Sequence, residues 1–212
     1  MGKGRLEAFS DGVIAILITI MVFNLKAPQQ HTWDGLMDIM PGVLTYVLSF
    51  VYLGIYWSNH HHLLQLTQRV NGGVLWANLH LLFWLSLIPV ATAWMHESEF
   101  VDLPVAIYGV VLFCCSVAWW ILQTTLVAQD GKGSRLGGAV GIDIKGKASM
   151  LAYLFGTLVA FVSPWFAITV YSILAVVWLV PDQRFERAVV EAQRAEVARQ
   201  EGNVGHRRSE EL

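Results

Sequence analysis

Apolar residues fall in long runs divided by short polar breaks, and these runs set the expected elements. The first extends from Leu6 to Leu25 and stops at Lys26 and Pro28, proline being a common stop just past a helix. A polar loop with His31, Asp34 and Asp38 follows, and a second run opens at Pro41, suited to a first helical turn, and continues to His62. The third reaches from Val74 to Met95. An acidic loop with His96, Glu97, Glu99 and Asp102 comes next, and Pro104 then opens the fourth, which ends near Ala128. Between Ala148 and Val180 the chain is apolar for 33 residues. As one helix this would be about 50 Å long, well beyond the roughly 30 Å of hydrocarbon in a bilayer. Ser163 and Pro164 divide it into two minimal spans joined by a tight turn. The pattern predicts an all-α polytopic membrane protein whose membrane domain, 1–181, has six spans at about 6–25, 41–62, 74–95, 104–128, 148–162 and 165–180. Residues 182–212 alternate acids and bases and are expected to form a cytoplasmic helix and tail.

Composition strengthens this reading, since 55% of residues are hydrophobic and only 14% charged, against about a quarter charged in soluble domains. Asp11 interrupts the first run and no small-residue cleavage site precedes Lys26, so that run is expected to be a retained helix and not a signal peptide. The two cysteines, Cys114 and Cys115, are adjacent and diverge by about 100° around a helix, which suggests no disulfide framework. The net charge of −2 offers no footprint for nucleic acid. Thirteen of the 14 lysines and arginines, all but Lys26, fall on the side shared by the two termini of a six-span chain. Positive charge accumulates on the cytoplasmic side, so both termini and the basic loop Gln129–Lys147 are expected there.

Ionisable residues inside apolar runs cost roughly 2.5–3.5 kcal/mol to insert, so they face partners or water. Arg5 and Asp11 at the start of the first span therefore need partners. Candidates at the same depth are Trp57, Asn59, His60, His61 and His62 on the second span and Asn78 and His80 on the third. Farther along the first span, Gly12, Ile16, Thr19, Ile20 and Phe23 recur at spacings of three and four and share one face, about 140° from Asp11. By periodicity alone that stripe is either a helix-packing seam or a pore lining. The histidines admit a further reading. No H-E-x-x-H pair is present to hold zinc, but haem between His60 or His61 and His80 is an alternative to a satisfied polar cluster. Several tryptophans, among them Trp76, Trp94, Trp120 and Trp165, stand near span ends as an interfacial belt would require.

The run from Arg5 through Phe9 and Ser10 to Asp11 reads R-x-x-x-F-S-D and leads straight into an apolar helix. It resembles the signature of the endolysosomal potassium channel family, transmembrane protein 175, and its bacterial relatives. Trp57 and the Asn59-His60-His61-His62 cluster also resemble that family. The resemblance implies that the first helix lines a central pore and that Arg5, Phe9, Ser10 and Asp11 knit the helices together near its cytoplasmic end. It places an apolar constriction at Ile16, Ile20 and Phe23, with Thr19 adding a hydroxyl ring. Vertebrate members carry two repeats per chain, and the single motif copy here implies the bacterial kind, a homotetramer. No T-V-G-Y-G-like run is present, so a carbonyl selectivity filter is not expected. The expected function is thus a potassium-permeable channel in the cell (inner) membrane, with potassium ions and lipid as partners and no cofactor, metal or nucleic acid. The alternatives are a proton-coupled transporter using Asp11 and the histidines, and a haem-binding oxidoreductase. Against the first, the chain has no internal repeat. Against the second, no nucleophile, base and orienting group converge in sequence.

Overall fold

The computed structural model describes residues 2–179 apart from 68, 132 and 142. The expected cytoplasmic helix and tail, 182–212, and the last residue of the sixth expected span lie outside the described residues. Among those described, eight α-helices follow one another and no strand occurs. They are α1 (Lys3–Val22), α2 (Trp33–Leu66), α3 (Gly72–Ser86), α4 (Ile88–Glu97), α5 (Asp102–Asp130), α6 (Arg135–Val140), α7 (Ile144–Val159) and α8 (Pro164–Leu179). Three stretches are long and apolar enough to cross a membrane: α2, α3 together with α4, and α5, while α8 is apolar but shorter.

The elements depart from the sequence expectation at three places, each with a local cause. The helix α2 begins at Trp33 and not at Pro41, because Thr32 caps it: the Thr32 side chain accepts a hydrogen bond from Gly35 N at 3.2 Å. Pro41 therefore sits inside the helix, where Thr45 Oγ1 donates back to the carbonyls of Pro41 and Gly42 at 3.1 and 2.9 Å. The third expected span is not one helix but two, broken at Leu87, since Pro89 lacks the N–H that would continue the ladder and fits the first turn of a new helix. The basic loop is shorter than Gln129–Lys147: α5 runs on to Asp130, α6 occupies its middle, and Asp143 caps α7 by accepting from Gly146 N at 2.9 Å. The final apolar run breaks at Ser163, with α7 ending at Val159 and α8 starting at Pro164.

The core gathers around α5, which packs against α3, α4, α6, α7 and α8, while α1 packs against α2, α3 and α4. Close approach relies on glycine. A Cβ on Gly109 of α5 would collide with the Tyr171 hydroxyl and with Thr157 Oγ1, and one on Gly156 of α7 would stand 2.6 Å from Tyr171 Cε1. Small residues at such crossings are the usual device for packing helices in lipid, where burial against a neighbour gains little over burial in hydrocarbon.

Candidate functional site

The helix α1 has two unlike faces. Leu6, Ser10, Ile14, Leu17 and Met21, at spacings of three and four, are buried against the rest of the chain. The opposite stripe is bare: Ile16 is 57% exposed, Ile20 46% and Phe23 81%, whereas Ile14, two residues from Ile16, is fully buried. Phe9 and Thr19 are exposed as well. The Thr19 hydroxyl donates within its own helix, to the carbonyls of Ala15 and Ile16 at 3.0 and 2.9 Å. Its oxygen lone pairs are thereby left to face outward.

Behind this stripe a directed chain of hydrogen bonds joins three helices. Ser10 Oγ donates to Leu6 O at 2.9 Å and accepts from Asn78 Nδ2 at 2.9 Å, and Asn78 Oδ1 lies 2.7 Å from His60 Nε2. A carbonyl oxygen can only accept, so His60 Nε2 carries the hydrogen of this bond. All three side chains are fully buried, and His60 Nδ1, the other ring nitrogen, has no partner. An interhelical hydrogen bond of this kind contributes about 0.6–2 kcal/mol in a membrane protein.

Asp11 leaves the helix on another side, where Trp57 Nε1 donates to its Oδ1 at 3.0 Å. His61 pairs with Glu7 at 3.0 Å and meets Gln65 Nε2 at 2.8 Å, and Lys3 Nζ donates to Gln65 O at 2.9 Å. Glu7, Lys3 and Gln65 extend this cluster beyond the residues expected from sequence. The spacing of His61 and Gln65, four apart on one helix, was a legible signal for the last of these.

Three expected members stand elsewhere. Arg5 is exposed and has no partner among the described residues. Asn59 lines a small cavity with Tyr52, Ser116 and Trp178, on the side of α2 away from α1. His80 is exposed on α3 and accepts from Trp84 Nε1 at 2.9 Å within its own helix. The His62 ring lies tilted at 58° to that of His61, with ring centroids 5.9 Å apart. The histidines that haem would need are thus committed to different neighbours, His60 to Asn78 in the interior, His61 to Glu7 and Gln65, and His80 to Trp84 on the surface. Among the described residues no group of three or more histidine, cysteine or carboxylate side chains converges as a metal site would require.

A protein named as a potassium channel in Chryseobacterium sp. (strain P1-3) is 49% identical over 191 residues, covering 90% of this chain and the whole of that relative. Residues 5–89 match the profile of the endosomal/lysosomal potassium channel TMEM175. The chain belongs to the TMEM175 family. A crystal structure of a lysosomal potassium-selective channel TMEM175 homologue from Chamaesiphon minutus superposes with a TM-score of 0.75 at 25% identity, over 85% of this chain and 97% of that one. The zebrafish relative, named an endosomal/lysosomal proton channel TMEM175, is 25% identical over 129 residues, which is 58% of this chain but only 24% of that protein. TMEM175 proteins are ion channels and not enzymes. The matched residues 5–89 hold all of α1 but its first two residues, all of α2 and α3, and every member of the polar cluster except Lys3, so the family likeness and the two-faced helix coincide.

Proposed function

We propose that this chain is one subunit of a homotetrameric, potassium-permeable channel of the cell (inner) membrane, with four copies of α1 around a central axis. The observation that carries this reading is the bare apolar stripe of α1, set opposite a face that is fully engaged with its own subunit. A helix that packs on one side only and is apolar on the other must meet lipid or further copies of itself. The polar cluster buried behind the stripe is what would fix its rotation. The names borne by the relatives from Chryseobacterium and Chamaesiphon minutus support potassium as the ion.

In this arrangement each residue of the stripe recurs as a ring. Ile16 forms the constriction, and Ile20 and Phe23 form further apolar layers one and two turns beyond. Isoleucine offers no oxygen in place of an ion's hydration shell, so closing such a ring stops conduction by dewetting, and conduction requires it to widen. Thr19, with its hydrogen spent on the backbone, presents acceptor oxygens between two of these layers. Potassium is favoured over sodium because it sheds hydration at lower cost in an apolar neck. The six spans are α1, α2, α3 with α4, α5, α7 and α8, and the distribution of lysine and arginine sets both termini in the cytoplasm. Purified protein reconstituted in liposomes tests the reading: it should pass potassium down a gradient, and sodium less readily. Absence of potassium flux from well-assembled protein overturns it.

A further inference from the structure

We propose that Arg5 forms a ring of four guanidinium groups at the cytoplasmic mouth of the pore, which limits cation access from that side and makes the channel rectify inward. The inference rests on the reading of α1 as the axial helix. It starts from the one charged side chain of α1 that has no partner among the described residues. Lys3 donates to Gln65 O, Glu7 pairs with His61, and Asp11 accepts from Trp57, so each of these turns toward α2. Arg5 is exposed and without a partner among the described residues.

Helix geometry says where it points. Arg5 and Ile16 lie on one unbroken helix, eleven residues apart. At 100° per residue that separation brings Arg5 back to within about 20° of Ile16, roughly 16 Å farther toward the cytoplasmic end. Phe9, also exposed, stands between them at about 20° on the other side of the same line. The stripe therefore reads Arg5, Phe9, Gly12, Ile16, Thr19, Ile20 and Phe23, and Arg5 is its sole charged residue. Lys3, by contrast, falls about 140° from Ile16, which agrees with its bond to the end of α2.

Four-fold symmetry multiplies this single charge. Arginine stays protonated at any workable pH, so the ring carries a fixed positive charge. A mouth of one sign alters the local ion concentration, and here it depletes the conducted cation at the cytoplasmic opening only. Outward current, which draws on cytoplasmic ions, is then smaller than inward current at equal driving force. Salt removes the effect, because the screening length falls from about 10 Å at 0.1 M to about 3 Å at 1 M.

The test is current recorded from inside-out patches in symmetric potassium chloride, at 0.1 M and at 1 M. The unaltered chain should give an outward-to-inward ratio about twofold or more below one at the lower salt, rising toward one at the higher. Arg5→Gln should give a ratio near one at both, and Arg5→Lys should keep the salt-dependent rectification. A conducting, unaltered channel whose ratio does not change with salt overturns the inference while leaving the channel reading intact, and this arm decides the matter even where Arg5→Gln fails to assemble. Rectification retained in an assembled Arg5→Gln channel likewise overturns it. Assembled protein with no current overturns the channel reading, and this inference with it.

Discussion

Removing Asn78 should weaken the chain more than removing Ser10, although both lie in the same row of hydrogen bonds. Asn78→Ala deletes the partner of His60 Nε2 and of Ser10 Oγ together. Ser10 keeps its own donated bond to Leu6 O, so it loses only an acceptor role. His60 fares worse, since its Nδ1 already lacks a partner and the ring is fully buried. Leaving one buried donor unsatisfied costs about 1–3 kcal/mol. Ser10→Ala likewise leaves buried Asn78 Nδ2 without its acceptor, but it keeps the bond between Asn78 and His60, whereas Asn78→Ala breaks both bonds and empties the space of a buried side chain, so the loss for Asn78→Ala is the larger. For a chain of this length 1 kcal/mol corresponds to roughly 2–4 °C, so Asn78→Ala should lower the melting temperature in detergent by about 2–12 °C and Ser10→Ala by less. The two losses should not add in the double variant, because both break the same bond. The assay is the fraction of protein that still elutes as the assembled species after heating. Equal melting of Asn78→Ala and the unaltered chain, or a larger loss for Ser10→Ala, refutes the directed row.

Three further outcomes follow from other contacts. Gly109→Ala should destabilise by about 1–3 kcal/mol through its collisions with the buried Tyr171 hydroxyl and with Thr157 Oγ1, and adding Tyr171→Phe should recover only part of that loss in the same heating assay, because Thr157 Oγ1 and the ring carbon Cζ still stand too close. Asp11→Asn keeps an acceptor for Trp57 Nε1 but loses the charge, so the yield of assembled protein should fall modestly with potassium preference unchanged; altered selectivity in a well-assembled variant would put Asp11 in the ion path instead. Ile16→Asn supplies polar groups at the neck and should raise current and weaken potassium preference, whereas unaltered conduction would move the constriction to another layer, Ile20 or Phe23.

Much of this organisation can be read from the chain because hydrocarbon leaves few choices. Long apolar runs must be helices, and polar residues inside them must find one another. Asp11, Trp57, His60, His61 and Asn78 stand out on that ground, and Ser10 through the R-x-x-x-F-S-D resemblance. Which of them pair depends on helix rotation, which sequence specifies poorly. Among the consecutive His60, His61 and His62, it is His60 that enters the core and His61 that reaches Glu7. His80 shares the depth of this cluster but turns outward to Trp84, and Asn59 turns to the far side of α2. Arg5 illustrates the opposite error. A charge in a membrane helix suggests a buried partner, yet its angle about the helix aligns it with Ile16 and away from Ser10. Proline misleads in both directions: Pro41 sits inside a helix that Thr32 starts, whereas Pro89, in an unbroken apolar run, divides α3 from α4.

The most direct test of the account is whether the bare stripe of α1 faces the conducted ions. With Cys114 and Cys115 replaced by serine, single cysteines are introduced as Ile14→Cys, Ile16→Cys and Ile20→Cys. Potassium current through the reconstituted channel is followed while a charged, membrane-impermeant thiol reagent is applied. A bulky charge attached inside an apolar neck blocks it, so current should fall irreversibly for Ile16→Cys and Ile20→Cys and persist for Ile14→Cys, whose side chain is fully enclosed by its own subunit. Block through Ile14→Cys, with Ile16→Cys and Ile20→Cys indifferent to the reagent, would contradict the assignment of α1 as the pore helix.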